Sequence, residues 1–313
     1  MPSNKVDDAL EQLVDAELMF CRGTPPSAEY TFKHALVQDA AYSTLLRSRR
    51  QQIHSRVVST LERQFPEVAA AQPQLLAHHC AEAGSIEKAI AYRLAAGKQL
   101  IARSAMVEAE AQIRGGLKLL LSLPAARERD QRELDLQMAL SSILIATAGY
   151  AAPAVAEVTT RASQLSQDLD RPLERAFLLT NQGAYHLLGG QLLIASREAK
   201  EILDLGMSRN NVDLRFQGCY VCAVVWFHLG DFSAAKEYAR LALELYRPDN
   251  PLHEWSSQDT LSTSLIFMCR SLAYLGYLDQ ARHYREEALS KARAHAHTLA
   301  MALMIANEVD DAM

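Results

Sequence analysis

Three stretches decide how this chain folds: "GGQLLIASREAKEIL" (189–203), "LGDFSAAKEYARLALEL" (229–245) and "LGYLDQARHYREEALSKA" (275–292). They superimpose. Gly190, Gly230 and Gly276 each stand where one helix ends, spaced by 40 and 46 residues. Five residues after each glycine comes an alanine, at Ala195, Ala235 and Ala281, and seven further on stand Ile202, Ala242 and Ala288. An earlier stretch, "EAGSIEKAIAYRLAAGKQL" (82–100), follows the pattern with Gly84, Ala89 and Ala96. Small residues let antiparallel helices approach closely, and a glycine supplies the backbone freedom of a tight turn. One such helix pair cannot bury its own apolar face, so neighbouring pairs stack into a solenoid.

Outward from these units the chain stays helical. After Pro66 every segment between breaks at Gly84, Pro124, Gly149 to Pro153, Pro172, Gly189-Gly190, Gly230, Pro248 to Pro251 and Gly276 reads as helix. Before Pro66 the pattern differs. Residues 6–18 have helical spacing. "LMFCR" and "YTFKH" around a Gly-Pro turn then give one short β-hairpin. Leu36, Val37, Ala40, Ala41 and Leu45 form the apolar face of the next helix, and Ile53, Val57, Leu61 and Phe65 that of a helix near 48–64. The expected division is an N-terminal module at 1–65 and a helical repeat array at 66–313, an all-α fold with one hairpin.

Composition bounds function. The chain has 313 residues, 49% apolar and 22% charged, with a net charge of −5. That is ordinary globular composition, with nothing global that asks for nucleic acid or an anionic membrane. The longest apolar run, "CYVCAVVWF" (219–227), is far short of the about 20 residues a bilayer needs. "MPSNKVDDALEQL" has no apolar core of a signal peptide. Five scattered cysteines fit a reducing cytoplasm.

The repeat units resemble tetratricopeptide repeats. Cys219, Cys222, Ala223 and Trp226 before Gly230, and Leu265, Met268, Cys269 and Leu272 before Gly276, follow that family's large-large-small-large helix signature. The glycine spacings exceed its standard length, which implies longer helices or inserts. A longer resemblance rests on "YTFKHALVQDAAYSTLLRSRRQQIHSRV" (30–57), "LLAHHCAEAGSIEKAIAYRLAAGKQLIARSA" (75–105) and "IATAGYAAP" (145–153). In this order they resemble the C-terminal part of bacterial STAND-type signalling ATPases associated with class III adenylate/guanylate cyclases. There a winged-helix module precedes the repeats. The resemblance implies a partial winged helix at 1–65 and a C-terminal arm, separately encoded or truncated. It implies a non-catalytic sensor that regulates an attached or partner ATPase or cyclase.

The phosphate loop of such an ATPase is not found in this sequence. "AGKQLIARS" (96–104) holds Gly97-Lys98, but Tyr92 stands at the first glycine position and Gln99 at the Ser/Thr. No cofactor is therefore expected, ATP or ADP being held only by a domain outside this chain. "FKHALVQDAA" (32–41) resembles the Met-His-Asp segment of apoptosome-type relatives, with Lys33 for methionine and Ala35 for aspartate. This implies a nucleotide-sensing role for His34, set against a strand-end histidine that caps or packs on the next helix.

Arg47, Arg49, Arg50 and Arg56 form the densest basic cluster, a contact patch or a solvated face. With it goes the alternative reading of a DNA-binding transcriptional regulator whose helical repeats sense an inducer. Tyr185, His186 and His228 are placed in an interaction groove on the first helices. No metal site is expected. Cys219 and Cys222 fall on packing positions, and His78, His79 and Cys80 are adjacent on a helix, where neighbours point about 100° apart. His295 and His297 also face different ways. No catalytic constellation is present, and Glu108, Glu110, Glu286 and Glu287 read as solvated charges. The expected partners are a protein or a cognate ATPase or cyclase domain, with self-association through exposed Leu10, Leu13 and Leu18.

Overall fold

The computed structural model describes residues 3–24, 28–254 and 260–294. His295, His297 and the centre of the hairpin turn lie outside them. Among the described residues are fifteen α-helices and one two-stranded hairpin. No described helix is long and apolar enough to cross a membrane. The fold is all-α and helical-repeat, and it divides into compact units at 1–92 and 93–313.

In the first unit, α1 (Ser3–Asp15) leads to β1 (Met19–Arg22) and β2 (Glu29–Phe32), which pair antiparallel with Met19 opposite Phe32. Helices α2 (Ala35–Ser43), α3 (Arg47–Gln64), α4 (Pro66–Ala71) and α5 (Pro73–Glu82) follow. The unit runs past residue 65 because α4 and α5 pack back on α3. Two expected faces differ from the sequence reading. Helix α2 buries none of its residues, and Leu36 is 82% exposed. Helix α3 buries His54 and Val58, while Ile53 and Phe65 stay exposed. The buried face is turned by one residue because α3 meets α5 through His54. Leu10 and Leu13 are half-buried; Leu18 is exposed.

Helix α6 (Ile86–Ala102) is followed by α7 (Met106–Leu120). The second unit then continues with α8 (Arg127–Ala148), α9 (Pro153–Asp168), α10 (Pro172–Leu188), α11 (Leu192–Ser208), α12 (Val212–His228), α13 (Phe232–Leu245), α14 (Thr260–Tyr274) and α15 (Leu278–Ala294). From α8 onward they pack as successive pairs, and α12 touches both α10 and α14, so first helices form one layer. Gly190, Gly230 and Gly276 take φ of 73°, 82° and 85°. In each turn the next residue's N–H reaches back to the first helix, as Asp231 N does to Trp226 O at 3.1 Å. Asp231 then caps α13 by accepting from Ala234 N at 3.0 Å. Ala195, Ala235, Ile202, Ala242 and Ala288 are fully buried, and Ala281 nearly so, where the pairs close.

Helix α12 is the apolar run of the sequence and the centre of the array, buried on nearly every side. Burial pushes the Cys219 thiol up to about 11 and the Cys222 thiol up to about 12. Cys80 and Cys269 are also buried, and Cys21 is exposed. A thiol reagent at pH 8 is therefore expected to label Cys21 alone in the folded chain, the other four reacting only on unfolding. Mass spectrometry of the labelled peptides reads this directly. Rapid labelling of Cys219 or Cys222 would contradict the packing of α12.

Candidate functional site: a polar cavity on the first-helix layer

The second unit holds a half-open cavity of about 670 Å³ between the first helices α8, α10 and α12 and the end of α6. Its apolar walls include Ile101, Met138, Phe177 and Tyr220. Into it face groups that a packed helical core does not usually hold: Asp135, Glu174, Asn181 and Gln217. They arise from polar residues on the inner faces of α8, α10 and α12, one turn from the apolar Met138, Phe177 and Leu214.

Two of these groups, Glu174 and Gln217, have side-chain partners. Arg171, at the entry to α10, donates to the Glu174 carboxylate. Gln217 Nε2 donates to Thr180 Oγ1 at 2.9 Å, and that hydroxyl donates to Ala176 O at 2.9 Å. Ser142 Oγ donates to Met138 O at 3.2 Å. Both hydroxyls are thus committed to backbone carbonyls of their own helices and are not activated by a base. Burial raises the Asp135 carboxyl above its ordinary value, opposed by Arg171 and Lys98 and reinforced by Glu174. Burial also pushes the Tyr150 phenol up.

One group stands apart. Asn181 is 3% exposed, and its Nδ2 has no hydrogen-bond partner. A buried unpaired donor costs about 1–3 kcal/mol. The cavity therefore presents carboxylates at Asp135 and Glu174, cations at Lys98 and Arg171 and an apolar floor, with the unpartnered Asn181 amide buried in its wall. This suits an amphipathic ligand with an acceptor for Asn181. If Asn181 is kept for a ligand rather than for the fold, Asn181→Leu raises stability by about 1 kcal/mol. The urea midpoint measures it, and a lowered midpoint would show that Asn181 serves the fold.

The positions singled out in the sequence lie elsewhere. Tyr185 and His186 are half-buried on α10, one to two turns beyond Asn181, with His186 Nδ1 3.0 Å from Glu198 Oε2. His228 is exposed, its Nδ1 2.8 Å from Val224 O. None of the three lines the cavity. His34 is exposed and extended at the N-cap of α2, and its side chain makes no cap bond; its backbone carbonyl accepts from Val37 N and Gln38 N. Arg47, Arg49 and Arg56 are exposed on α3, and Arg49 donates to Gln52 Oε1 at 3.2 Å. Arg50 is half-buried, its guanidinium 5.0 Å from the Tyr42 ring centroid. The cavity residues Asp135, Glu174, Asn181 and Gln217 are not singled out by the sequence, because they converge only when successive helix pairs stack. The available signal was a carboxylate or amide at the inner position of three successive first helices.

No family model matches the chain. It is 26% identical over 285 residues to "Uncharacterized protein R02095" of Rhizobium meliloti (strain 1021), covering 89% of this chain and 28% of that protein. The chain thus spans little more than a quarter of that relative's length. Among solved structures it is similar to the apo form of RapI, with a TM-score of 0.54 at 13% identity, over 66% of this chain and 71% of that one. It is also similar to BtubC from P. vanneervenii, with a TM-score of 0.51 at 14% identity, over 81% of this chain and 93% of that one. At such identities the likeness shows the helical-repeat fold and nothing further.

Proposed function

We propose that this chain is a non-catalytic recognition arm that binds a protein segment or small amphipathic ligand in the cavity and regulates an ATPase or cyclase domain, attached or in trans. The observation that carries it is the buried, unpartnered Asn181 amide beside the charged groups Asp135, Arg171 and Glu174 in an array of otherwise close-packed helices. Binding there has differential contacts to offer. A ligand that satisfies Asn181 favours one spacing of the first helices over another, and an attached domain can read that difference. The length of the Rhizobium meliloti relative supports a further portion of chain outside the matched segment. So do the bare helix α2 and the 77% exposed Leu46, which leave apolar surface for a further domain or a second copy. In that setting residues 1–65 act as the end of a winged helix and His34 faces the nucleotide of the other domain.

The test uses that relative. Full-length protein is expected to turn over ATP, and deletion of the matched segment is expected to change the rate several-fold. No nucleotide turnover by the full-length relative, an unchanged rate after deletion, or turnover by the purified chain alone would each overturn the proposal. A regulator reading draws on Arg49 and Arg56, which share an open face of α3 with Ser48, Gln52, Ser55 and Ser59. It requires salt-dependent binding of random duplex DNA that Arg49→Ala weakens.

A further inference from the structure

The first unit carries a cluster of histidines that the helical-repeat fold does not require. His54 lies on α3, and His78 and His79 lie on α5. One ring nitrogen from each falls within 4.8 Å of the others. His54 Nδ1 and His79 Nδ1 are 2.7 Å apart. Cys80, adjacent in sequence, is fully buried and is not one of the three. The sequence showed only the pair on α5; the third imidazole comes from 24 residues earlier on the facing helix.

The surroundings fix the tautomer of His54. The Tyr42 hydroxyl has a single proton, and it donates to Glu82 Oε2 at 3.0 Å. It must therefore accept from His54 Nε2, also at 3.0 Å. With its proton on Nε2, His54 turns a bare Nδ1 toward His79. A carboxylate-backed hydrogen bond to the far nitrogen is how metal-bound histidines are oriented. We infer that His54, His78 and His79 form a site for a borderline divalent cation of the zinc class, with Tyr42 and Glu82 as its supporting shell.

The chemistry fits. Imidazole nitrogens suit Zn²⁺, Co²⁺ and Ni²⁺, and three of them leave one coordination position for water or a partner's side chain. Two nitrogens on one zinc at about 2.0 Å stand roughly 3.3 Å apart, so the His54–His79 pair opens slightly while exposed His78 swings inward. His79 moves its proton to its other nitrogen, so both ligands stay neutral. Burial holds His54 below its ordinary value of 6.5, with Glu82 opposing and His78 and Arg50 adding to the depression. Burial, His54 and His78 lower His79 likewise.

Titration of the purified full chain with Co²⁺, followed by competition with Zn²⁺, tests this. The expected result is one equivalent bound, with the visible bands of a tetrahedral ion. His78→Ala, which changes an exposed side chain, should weaken binding by about tenfold or more, and Tyr42→Phe by about tenfold through loss of the tautomer lock. His283→Ala, an exposed histidine of the second unit, should leave it unchanged. The inference is overturned if no stoichiometric binding occurs, or if His78→Ala and Tyr42→Phe both bind as tightly as the unaltered chain.

Discussion

Gly218→Leu is expected to destabilise the second unit by about 3 kcal/mol. The glycine sits in α12 where α11 crosses it, and a Cβ there would lie 2.6 Å from Leu203 Cα and 2.7 Å from Leu203 N. These are backbone atoms, which no side-chain rotation removes. Gly206 of α11 makes the reciprocal approach, with a Cβ position 2.6 Å from Arg215 N. The two helices touch backbone to backbone at two points, so any added side chain separates them along their length. For a unit of this size the loss corresponds to about 6–12 °C in Tm. Gly183→Ala on α10 is the contrasting variant. Its Cβ would meet only Glu198 Oε2, at 3.7 Å, and alanine favours the helix by up to about 1 kcal/mol. Thermal melts of the two should move in opposite directions, and a Gly218→Leu chain that melts unchanged would refute the close crossing.

Phe216→Ala is expected to cost about 3–5 kcal/mol. Among the described residues Phe216 is the largest fully buried side chain, 1% exposed. Its ring stacks on Tyr220 with centroids 6.4 Å apart and meets Tyr246 edge-on at 5.7 Å. Truncation leaves a void between α12 and the segment after α13, which rigid backbones cannot close. Tyr220 is also a wall of the polar cavity, so the variant should loosen that wall as well as lower the urea midpoint. Retention of the midpoint within about 1 kcal/mol would mean that Phe216 is less enclosed than described.

The repeat glycines were legible because a left-handed turn is a local demand. Gly84, Gly190, Gly230 and Gly276 all adopt it. Ser104, Asp170 and Asn210 adopt the same conformation without glycine, at φ of 59°, 55° and 47°, and end α6, α9 and α11 in the same way. A scan for Gly and Pro passes over the turns at Ser104 and Asn210, and Asp170 shows only through the Pro172 that follows. Gly206 and Gly218 were overlooked for the opposite reason: they sit inside helices, and only the neighbouring helix reveals why a side chain is excluded. The cavity and the histidine cluster do not show in any single helix, for a related cause. Asp135, Asn181 and Gln217 converge through the stacking of three pairs, and His54 reaches His79 only because α5 folds back on α3. Periodicity reports which side of a helix is apolar; it does not report which polar residue ends up opposite which.

Under the proposed function, occupancy of the Asn181 cavity controls a separate catalytic portion. The direct measurement replaces the matched segment of the Rhizobium meliloti relative with this chain, unaltered or carrying Asn181→Leu, and compares nucleotide turnover. The unaltered chain is expected to restore the control lost on deletion. The Asn181→Leu chain, at least as stable, should fail to respond and hold the rate at one limit. Equal regulation by both chains would contradict it.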